Sequence, residues 1–474
     1  MVELNIFLDA FIAVIVVYFF VINTAYLAIL VLSMVNILRN ARLRFTFALD
    51  QVFKFRLLPP VSILLPAYNE EKTIVESIRS LLFVRYPNYE LVVVNDGSKD
   101  ATLGTLIEEF RLVRTDYIFR NSIRTAPVRG IYVSKEFANI VVIDKENGGK
   151  ADALNAGINV SKYPFFCAVD ADTILGADAL AKLILPFIAN PERTVAVGGV
   201  VKAANGADIQ AGRLLRERLT KNVLVILQSV EYARSFFMGR LGLATINSLL
   251  IISGAFGMFR KEDVLKVEGY KRKSLGEDMM LVMKLHKLKR DERKRYRIAF
   301  VHDTVCWTEL PSNFKMLKKQ RLRWQMGLLE SIAENRAMFF NPRYGIVGMF
   351  AIPFHFFTEI VPPFIELAGY AVIAAGLAAR ALDDPPFAVP YINLIHFLAV
   401  TWLYSVIHSF IAISIEHYAV GTTLRFHHFI VKLLVSFLDN LFYRQVNLVY
   451  RCAGVFKFFT KRREWGEMKR SGYK

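Results

Sequence analysis

Apolar residues mass at the two ends of this chain, while the middle alternates short apolar runs with polar turns. From Ala10 to Leu38 no charged residue occurs, a run longer than the roughly 20 residues a bilayer requires. Its start carries Glu3 and Asp9, and its basic cluster follows it, which is the reverse of a cleaved signal peptide. A retained transmembrane helix is expected, with its C-terminal end in the cytoplasm. Beyond residue 344 the apolar signal returns. Ile346–Ala379 is interrupted by Pro353, Pro362 and Pro363 and carries His355, Glu359 and Glu366. After the acidic loop Asp383-Asp384-Pro385-Pro386, Tyr391–Ile415 has no Lys, Arg, Asp or Glu. These predict two further crossings. Phe426–Val455 contains Lys432, Asp439, Arg444 and Arg451, and one crossing there would put the basic tail outside, against the charge rule. An interfacial or re-entrant segment is expected instead.

The middle reads as strands alternating with helices. Val61–Leu65, Leu91–Val94, Ile140–Ile143, Phe165–Val169 and Thr194–Val200 are the expected strands; helices are expected over Thr73–Leu82 and from about Ala151. That alternation predicts an α/β domain with a mixed, mostly parallel sheet, whose polar loops gather at the carboxyl ends of the strands. Three of those strands run into Ala67-Tyr68-Asn69-Glu70, Asn95-Asp96-Gly97-Ser98 and Asp170-Ala171-Asp172, so one crevice should collect them. The basic insert Arg111–Lys135 shows no period and receives no assignment.

Composition narrows the class. With 474 residues, 54% of them hydrophobic, the chain exceeds one ordinary soluble domain. The formal charge of +18 raises nucleic acid as a partner. However, the basic residues crowd beside the apolar runs, at Arg39, Arg42, Arg44, Lys54 and Arg56 and at Lys457, Lys461, Arg462 and Arg463. That placement fits anionic lipid and argues against nucleic acid. Cys167, Cys306 and Cys452 form no CxxC pair and read as reduced, buried thiols.

Several short constellations carry candidate chemistry, each with a plain structural alternative. Asp170 and Asp172, two apart in extended backbone, point to one side and can hold a hard divalent cation; an acidic turn after a strand looks the same. Asp96 can accept from a nucleobase or ribose, or simply serve the turn. Lys150, at the start of a helix, can meet a phosphate. Asp278 in Gly276-Glu277-Asp278 is either a helix cap or a general base for an acceptor hydroxyl. Ser253-Gly254-Ala255-Phe256 can place small groups and a ring beside an acceptor, or form a core turn. Gln320, Arg323 and Trp324 fall at i, i+3 and i+4, so an amide, a guanidinium and an indole share one helical face suited to a sugar phosphate and a sugar ring. A basic juxtamembrane helix with an interfacial Trp is the alternative.

The order Asp96, Lys150, Asp170/Asp172, Ser253-Gly254, Asp278 and Gln320-x-x-Arg323-Trp324, set between apolar segments, resembles the family 2 inverting glycosyltransferases over about Val61–Gly327. Within that family it is most similar to the processive membrane synthases of cellulose, chitin and hyaluronan. Ser253-Gly254-Ala255-Phe256-Gly257 and the tail Trp465-Gly466-Glu467-Met468-Lys469-Arg470 resemble the poly-β-1,6-N-acetylglucosamine synthase branch. The resemblance implies a GT-A-type nucleotide-sugar-binding domain between transmembrane helices. It implies that Ala67, Tyr68 and Glu70 line the base pocket, that Asp96 contacts the uridine, and that Lys150, Asp170 and Arg323 meet the diphosphate. Asp170 and Asp172 would carry Mg2+ or Mn2+, Asp278 would be the base, and Ser253, Gly254, Gln320 and Trp324 would hold acceptor and polymer. Many relatives have Thr where Gly276 stands.

The expected division is a transmembrane helix over 1–40, a basic linker over 41–60 and a cytoplasmic catalytic domain over 61–310. Interfacial helices with the Gln-x-x-Arg-Trp signature follow over 311–345, membrane helices over 346–455, and a basic cytoplasmic tail over 456–474. The function implied is processive polymerisation of a UDP-sugar, foremost UDP-N-acetylglucosamine, with export across the cell membrane. Its partners would be the donor, the growing polysaccharide, membrane lipid and small membrane or export subunits. Addition of one sugar to a lipid carrier shares the crevice motifs. A non-enzymatic transport or assembly role explains the helices but not the ordered carboxylates.

Overall fold

The computed structural model describes residues 2–46, 58–210, 213–381, 391–420 and 426–460. The acidic loop at 383–386, most of the basic linker and the tail from 461 onward, including Trp465–Arg470, lie outside them. The chain begins with helix α1 (Val2–Thr46). Strand β1 (Val61–Ala67), helix α2 (Ile74–Leu82), strand β2 (Tyr89–Asp96) and helix α3 (Thr102–Glu109) then alternate as the apolar pattern requires. The basic insert forms a hairpin of β3 (Leu112–Thr115) and β4 (Val128–Ser134), antiparallel to each other. There follow β5 (Ile140–Lys145), α4 (Lys150–Val160), β6 (Phe165–Val169), β7 (Thr173–Leu175), α5 (Ala179–Ala189) and β8 (Thr194–Ala203). A small ribbon of β9 (Asp208–Gln210) and β10 (Arg213–Arg216) leads to α6 (Val223–Ala233) and a π-helical turn, Arg234–Arg240. β11 (Phe256–Arg260), α7 (Glu277–Asp291), β12 (Arg297–Thr308) and α8 (Phe314–Glu334) complete the central part.

Ten strands form one mixed sheet, in the order β3-β4-β5-β2-β1-β6-β11-β8-β12-β7. Its centre, β5-β2-β1-β6, is parallel throughout. The partners Ala67↔Asn95, Asn95↔Asp144 and Leu64↔Ala168 bring these strands to an end at one level. The turns after β1, β2, β5 and β6 therefore share one edge, as the strand–helix alternation predicts. Ile63, Leu64, Leu65, Val92, Val93, Val142, Phe166 and Cys167 are buried between the covering helices. Such continuous apolar runs are expected of strands covered on both faces. The three cysteines are free and buried.

Among the described residues, two stretches are long and apolar enough to cross a bilayer, Ala13–Leu38 and Val347–Val372. The second contains two π-helical turns, Val347–Ala351 and Phe356–Ile360, and passes into α9 (Pro362–Ala381). The run expected as a third crossing forms α10 (Tyr391–Val420) and is not one of those two. The final apolar stretch is α11 (Phe426–Leu438), a π-helical turn at Asp439–Tyr443, and α12 (Arg444–Phe459). α11 packs on α10 and α6, and α12 packs along α8.

Candidate active site

A cavity of about 650 Å³ opens beneath the shared strand edge and runs towards the apolar helices. One end is lined by Lys150, Asp170, Asp172, Gly254, Glu277 and Asp278. Lys150 opens α4, behind Gly149, whose φ of 86° is one a side chain rarely adopts. Its ammonium lies 2.5 Å from Asp170 Oδ1 and 3.7 Å from Glu277 Oε1, and donates to the Gly254 carbonyl at 3.4 Å. Asp278 accepts from the Gly254 amide at 3.2 Å on Oδ2 and from the Met279 amide at 2.8 Å on Oδ1. The loop before β11 thus touches both a candidate phosphate-binding cation and a candidate base.

Burial and charge act on these groups in opposite senses. Burial pulls the Lys150 ammonium down, but Asp170 and Glu277 beside it hold it above the ordinary lysine value. Burial pushes the Glu277 carboxyl up; Lys150 opposes this and Asp278 adds to it. Across the cavity, burial brings the Arg240 guanidinium down to about 10, with Asp278 working against the shift. Arg240 sits over the Phe236 ring, 4.1 Å from its centroid.

The middle of the cavity is walled by α8. Gln320, Arg323 and Trp324 all face it, as their spacing predicts, and Trp324 is 40% exposed. Arg321 faces it too, paired with Glu231. Ser253 lines the same wall. Towards the apolar helices the lining carries Glu359 paired with Arg451, Glu366 paired with Arg444, and Arg234 paired with Asp439 at 2.5 Å. His355 donates through Nδ1 to the Ala351 carbonyl, 2.9 Å away. Each carboxylate that would be costly in lipid therefore meets a cation supplied by the last apolar stretch or by the π-helical turn at 234–240.

The remaining expected residues are placed otherwise. Asp96 is 2% exposed, and its carboxylate is turned to the protein's own groups. It lies 2.5 Å from Lys145 Nζ and accepts from the amides of Gly148 at 3.0 Å and Gly149 at 2.8 Å. Through these bonds the carboxylate braces the turn that carries Lys150. Lys145 also lies 2.7 Å from Asp152, and Asp152 2.5 Å from Arg272, so the turn is tied to the segment leading into Asp278. Ala67, Tyr68 and Glu70 lie at the same strand edge but do not line the cavity. Their loop is stitched to the one after β2: the Asn69 amide donates to Ser98 Oγ at 3.0 Å, and the Glu70 amide to Thr102 Oγ1 at 2.9 Å.

The unusual Gly276 has a structural reason. A Cβ placed on it would lie 2.8 Å from the carbonyl oxygen of Gly327, so the start of α7 and the backbone of α8 are in direct contact. The helix bearing Asp278 and the helix bearing Trp324 thereby share a wall.

Among the described residues no three His, Cys, Asp or Glu side chains form a metal cage. Asp170 and Asp172 both face the cavity, and two hard oxygen donors suit a divalent cation that completes its shell with phosphate oxygens and water. The donor set therefore fits Mg2+ or Mn2+.

A family model described as "Glycosyltransferase like family 2" matches residues 59–327, more than half of the chain. Poly-beta-1,6-N-acetyl-D-glucosamine synthase of Staphylococcus aureus (strain COL) is 28% identical over 271 residues, 57% of this chain and 55% of that protein. The synthase of the same name from Staphylococcus epidermidis is 28% identical over 268 residues, 56% and 54% of the two chains. The match thus spans about half the length of these curated relatives. A mannosyltransferase from Pyrobaculum calidifontis, solved with GDP-Man and Mn2+, superposes with a TM-score of 0.52 at 17% identity, covering 90% of this chain and 99% of that one. At that identity the likeness is one of fold.

Proposed function

The chain belongs to glycosyltransferase family 2, with a GT-A-like α/β domain related to poly-β-1,6-N-acetylglucosamine synthase, and from that premise we propose that it is a processive, inverting synthase of the cell membrane. Its donor in this reading is a UDP-sugar, foremost UDP-N-acetylglucosamine, and its product a β-linked polysaccharide that leaves past the apolar helices. The observation that carries the reading is the single cavity, with Lys150, Asp170, Asp172 and Asp278 at one end, Trp324 in the middle and the membrane helices at the other.

The acceptor hydroxyl is held over Trp324 with Gln320, Ser253 and Gly254 around it. Asp278 takes the hydroxyl proton as the oxygen attacks the anomeric carbon. The bond from that carbon to the donor diphosphate breaks, and UDP departs with the electron pair. One displacement inverts the centre, so an α-linked donor gives a β-linked product. Lys150 and Arg323 meet the negative charge gathering on the diphosphate. A divalent cation on Asp170 and Asp172 would supply further neutralisation there when bound. Ala67, Tyr68 and Glu70 frame the base, and Asp96 keeps the Gly148-Gly149 turn in shape for Lys150. The division into an N-terminal membrane helix (1–40), linker (41–60), cytoplasmic catalytic domain (61–310), interfacial helices (311–345), membrane segments (346–455) and cytoplasmic tail (456–474) is part of the same proposal. The two spans and the ion pairs of the last stretch support it.

The test uses the full chain in membranes, supplied separately with labelled UDP-sugars, with the product sized. Long polymer from one donor is expected, and Asp278→Asn should reduce it by about 10²–10⁴ while UDP binding stays near normal. A single sugar added to lipid would overturn the polymer reading. Near-normal synthesis by the variant would remove Asp278 from its role.

A further inference from the structure

We infer that Glu231 and Tyr443 are positioning residues for the acceptor: acting through Arg321, they fix the indole of Trp324, so that the C-terminal segment completes the acceptor site. The inference rests on the reading above and extends it to residues outside every motif. Arg321 is 5% exposed. Its Nη1 donates to Glu231 Oε1 and its Nη2 to Glu231 Oε2, both at 2.7 Å, a two-pronged pairing that fixes the guanidinium plane. Nη2 also lies 3.0 Å from the Tyr443 hydroxyl, which donates to Glu231 Oε2 at 2.7 Å. Three segments far apart in sequence, α6, α8 and the π-helical turn at 439–443, thus close one small network.

The network ends on the indole. The Arg321 guanidinium lies over the Trp324 ring with its carbon 4.6 Å from the centroid, within cation–π range. Tyr232, next to Glu231, has its ring 6.4 Å from that of Trp324, tilted by 32°. All five side chains line the cavity that contains Asp278. Trp324 has only two side-chain torsions, so a fixed guanidinium on one side and a ring on another leave it little freedom, while it remains exposed to the cavity. The pairing also separates the roles of the two neighbouring arginines of α8, Arg321 and Arg323. Glu231 occupies Arg321, which keeps that guanidinium from turning to a diphosphate, and Arg323 is the one proposed to serve the donor.

The experiment uses the full chain in detergent or lipid discs and two readouts. A β-1,6-linked N-acetylglucosamine tetrasaccharide is titrated while tryptophan fluorescence is followed, and the KM for UDP-N-acetylglucosamine is taken from UDP release. Tyr443→Phe removes only a hydroxyl and keeps the fold; Glu231→Gln and Arg321→Lys remove the charge and the fork respectively. Each should weaken tetrasaccharide binding by about tenfold and shorten the product, with the donor KM within about twofold. Unchanged tetrasaccharide affinity in Tyr443→Phe and Glu231→Gln, or an equal loss at the donor, would overturn the inference while the synthase reading stands. A wild-type protein that releases no UDP from this donor would overturn both.

Discussion

Glu277 and Asp278 are neighbours in sequence and meet different surroundings. Glu277 is buried opposite Lys150, whereas Asp278 is held by two backbone amides at the cavity wall. Removing the Glu277 charge leaves Lys150 with Asp170 alone. Because Glu277 helps hold the lysine above its ordinary value, Glu277→Gln should move the alkaline limb of the pH–rate profile to lower pH. A limb that stays in place would show that Lys150 is not the group behind it. Residues of this kind were legible where a short motif carried them. Asp170, Asp172, Lys150, Asp278, Gln320, Arg323 and Trp324 converge on one cavity, and each stands in a local pattern. Arg240, Glu231 and Tyr443 had no such signal, since each comes from a separate stretch and meets the site only through folding. Asp96 stood out as a strand-end acid, but its acceptor role towards Gly148 and Gly149 lies across 52 residues or more and no spacing encodes it.

Helix α7 meets the site at its start and encloses a buried histidine further along. At its start, Gly276 touches the backbone of Gly327, and any side chain there must push α8 away. Gly276→Ala should cost about 1–3 kcal/mol of stability and weaken acceptor binding, read by thermal unfolding and tetrasaccharide titration. Further along, His286 is enclosed between Tyr296 and the Leu249 carbonyl. A carbonyl only accepts, so Nε2 carries the proton and Nδ1 accepts from the Tyr296 hydroxyl; the network assigns that tautomer. Burial holds this imidazole down to about 4, against an ordinary 6.5. The unfolded chain therefore binds the proton more readily across that window. Its contribution is complete above the ordinary value and is lost as pH falls towards the folded one, with a slope of at most about 1.4 kcal/mol per pH unit. His286→Gln should flatten the fall of the thermal midpoint in that range; an unaltered profile would exclude the histidine as its source. Elements of the parallel centre were readable because they are apolar on both faces. The edge hairpin β3–β4 was not, since an edge strand with one solvated face and exposed arginines at 111, 114 and 129 has no clear alternation.

Across the whole molecule, charge links the catalytic domain to the apolar helices. Lys432 of α11 lies 2.9 Å from Glu416 of α10, which is 3.7 Å from Lys202 of β8, itself paired with Glu217. All but Glu217 are buried to the last few per cent. Lys432→Met leaves a buried carboxylate short of a partner and should cost about 3–5 kcal/mol. Lys432→Met with Glu416→Met should recover most of that, since Lys202 keeps Glu217. A single variant as stable as wild type would show the pair to be indifferent. This bond between halves was only half visible in the chain: the ionisable residues in apolar runs were apparent, but their partners were not. The same pairing has a consequence for how the protein is made. Arg234, Glu359, Glu366 and Glu416 all emerge from the ribosome before Asp439, Arg444, Arg451 and Lys432, the groups that neutralise them. Until the last stretch arrives, the nascent protein holds uncompensated charge among apolar helices. The segment 426–459 thus completes the charge balance of the apolar helices, and a chain cut short before it would leave those groups without their partners.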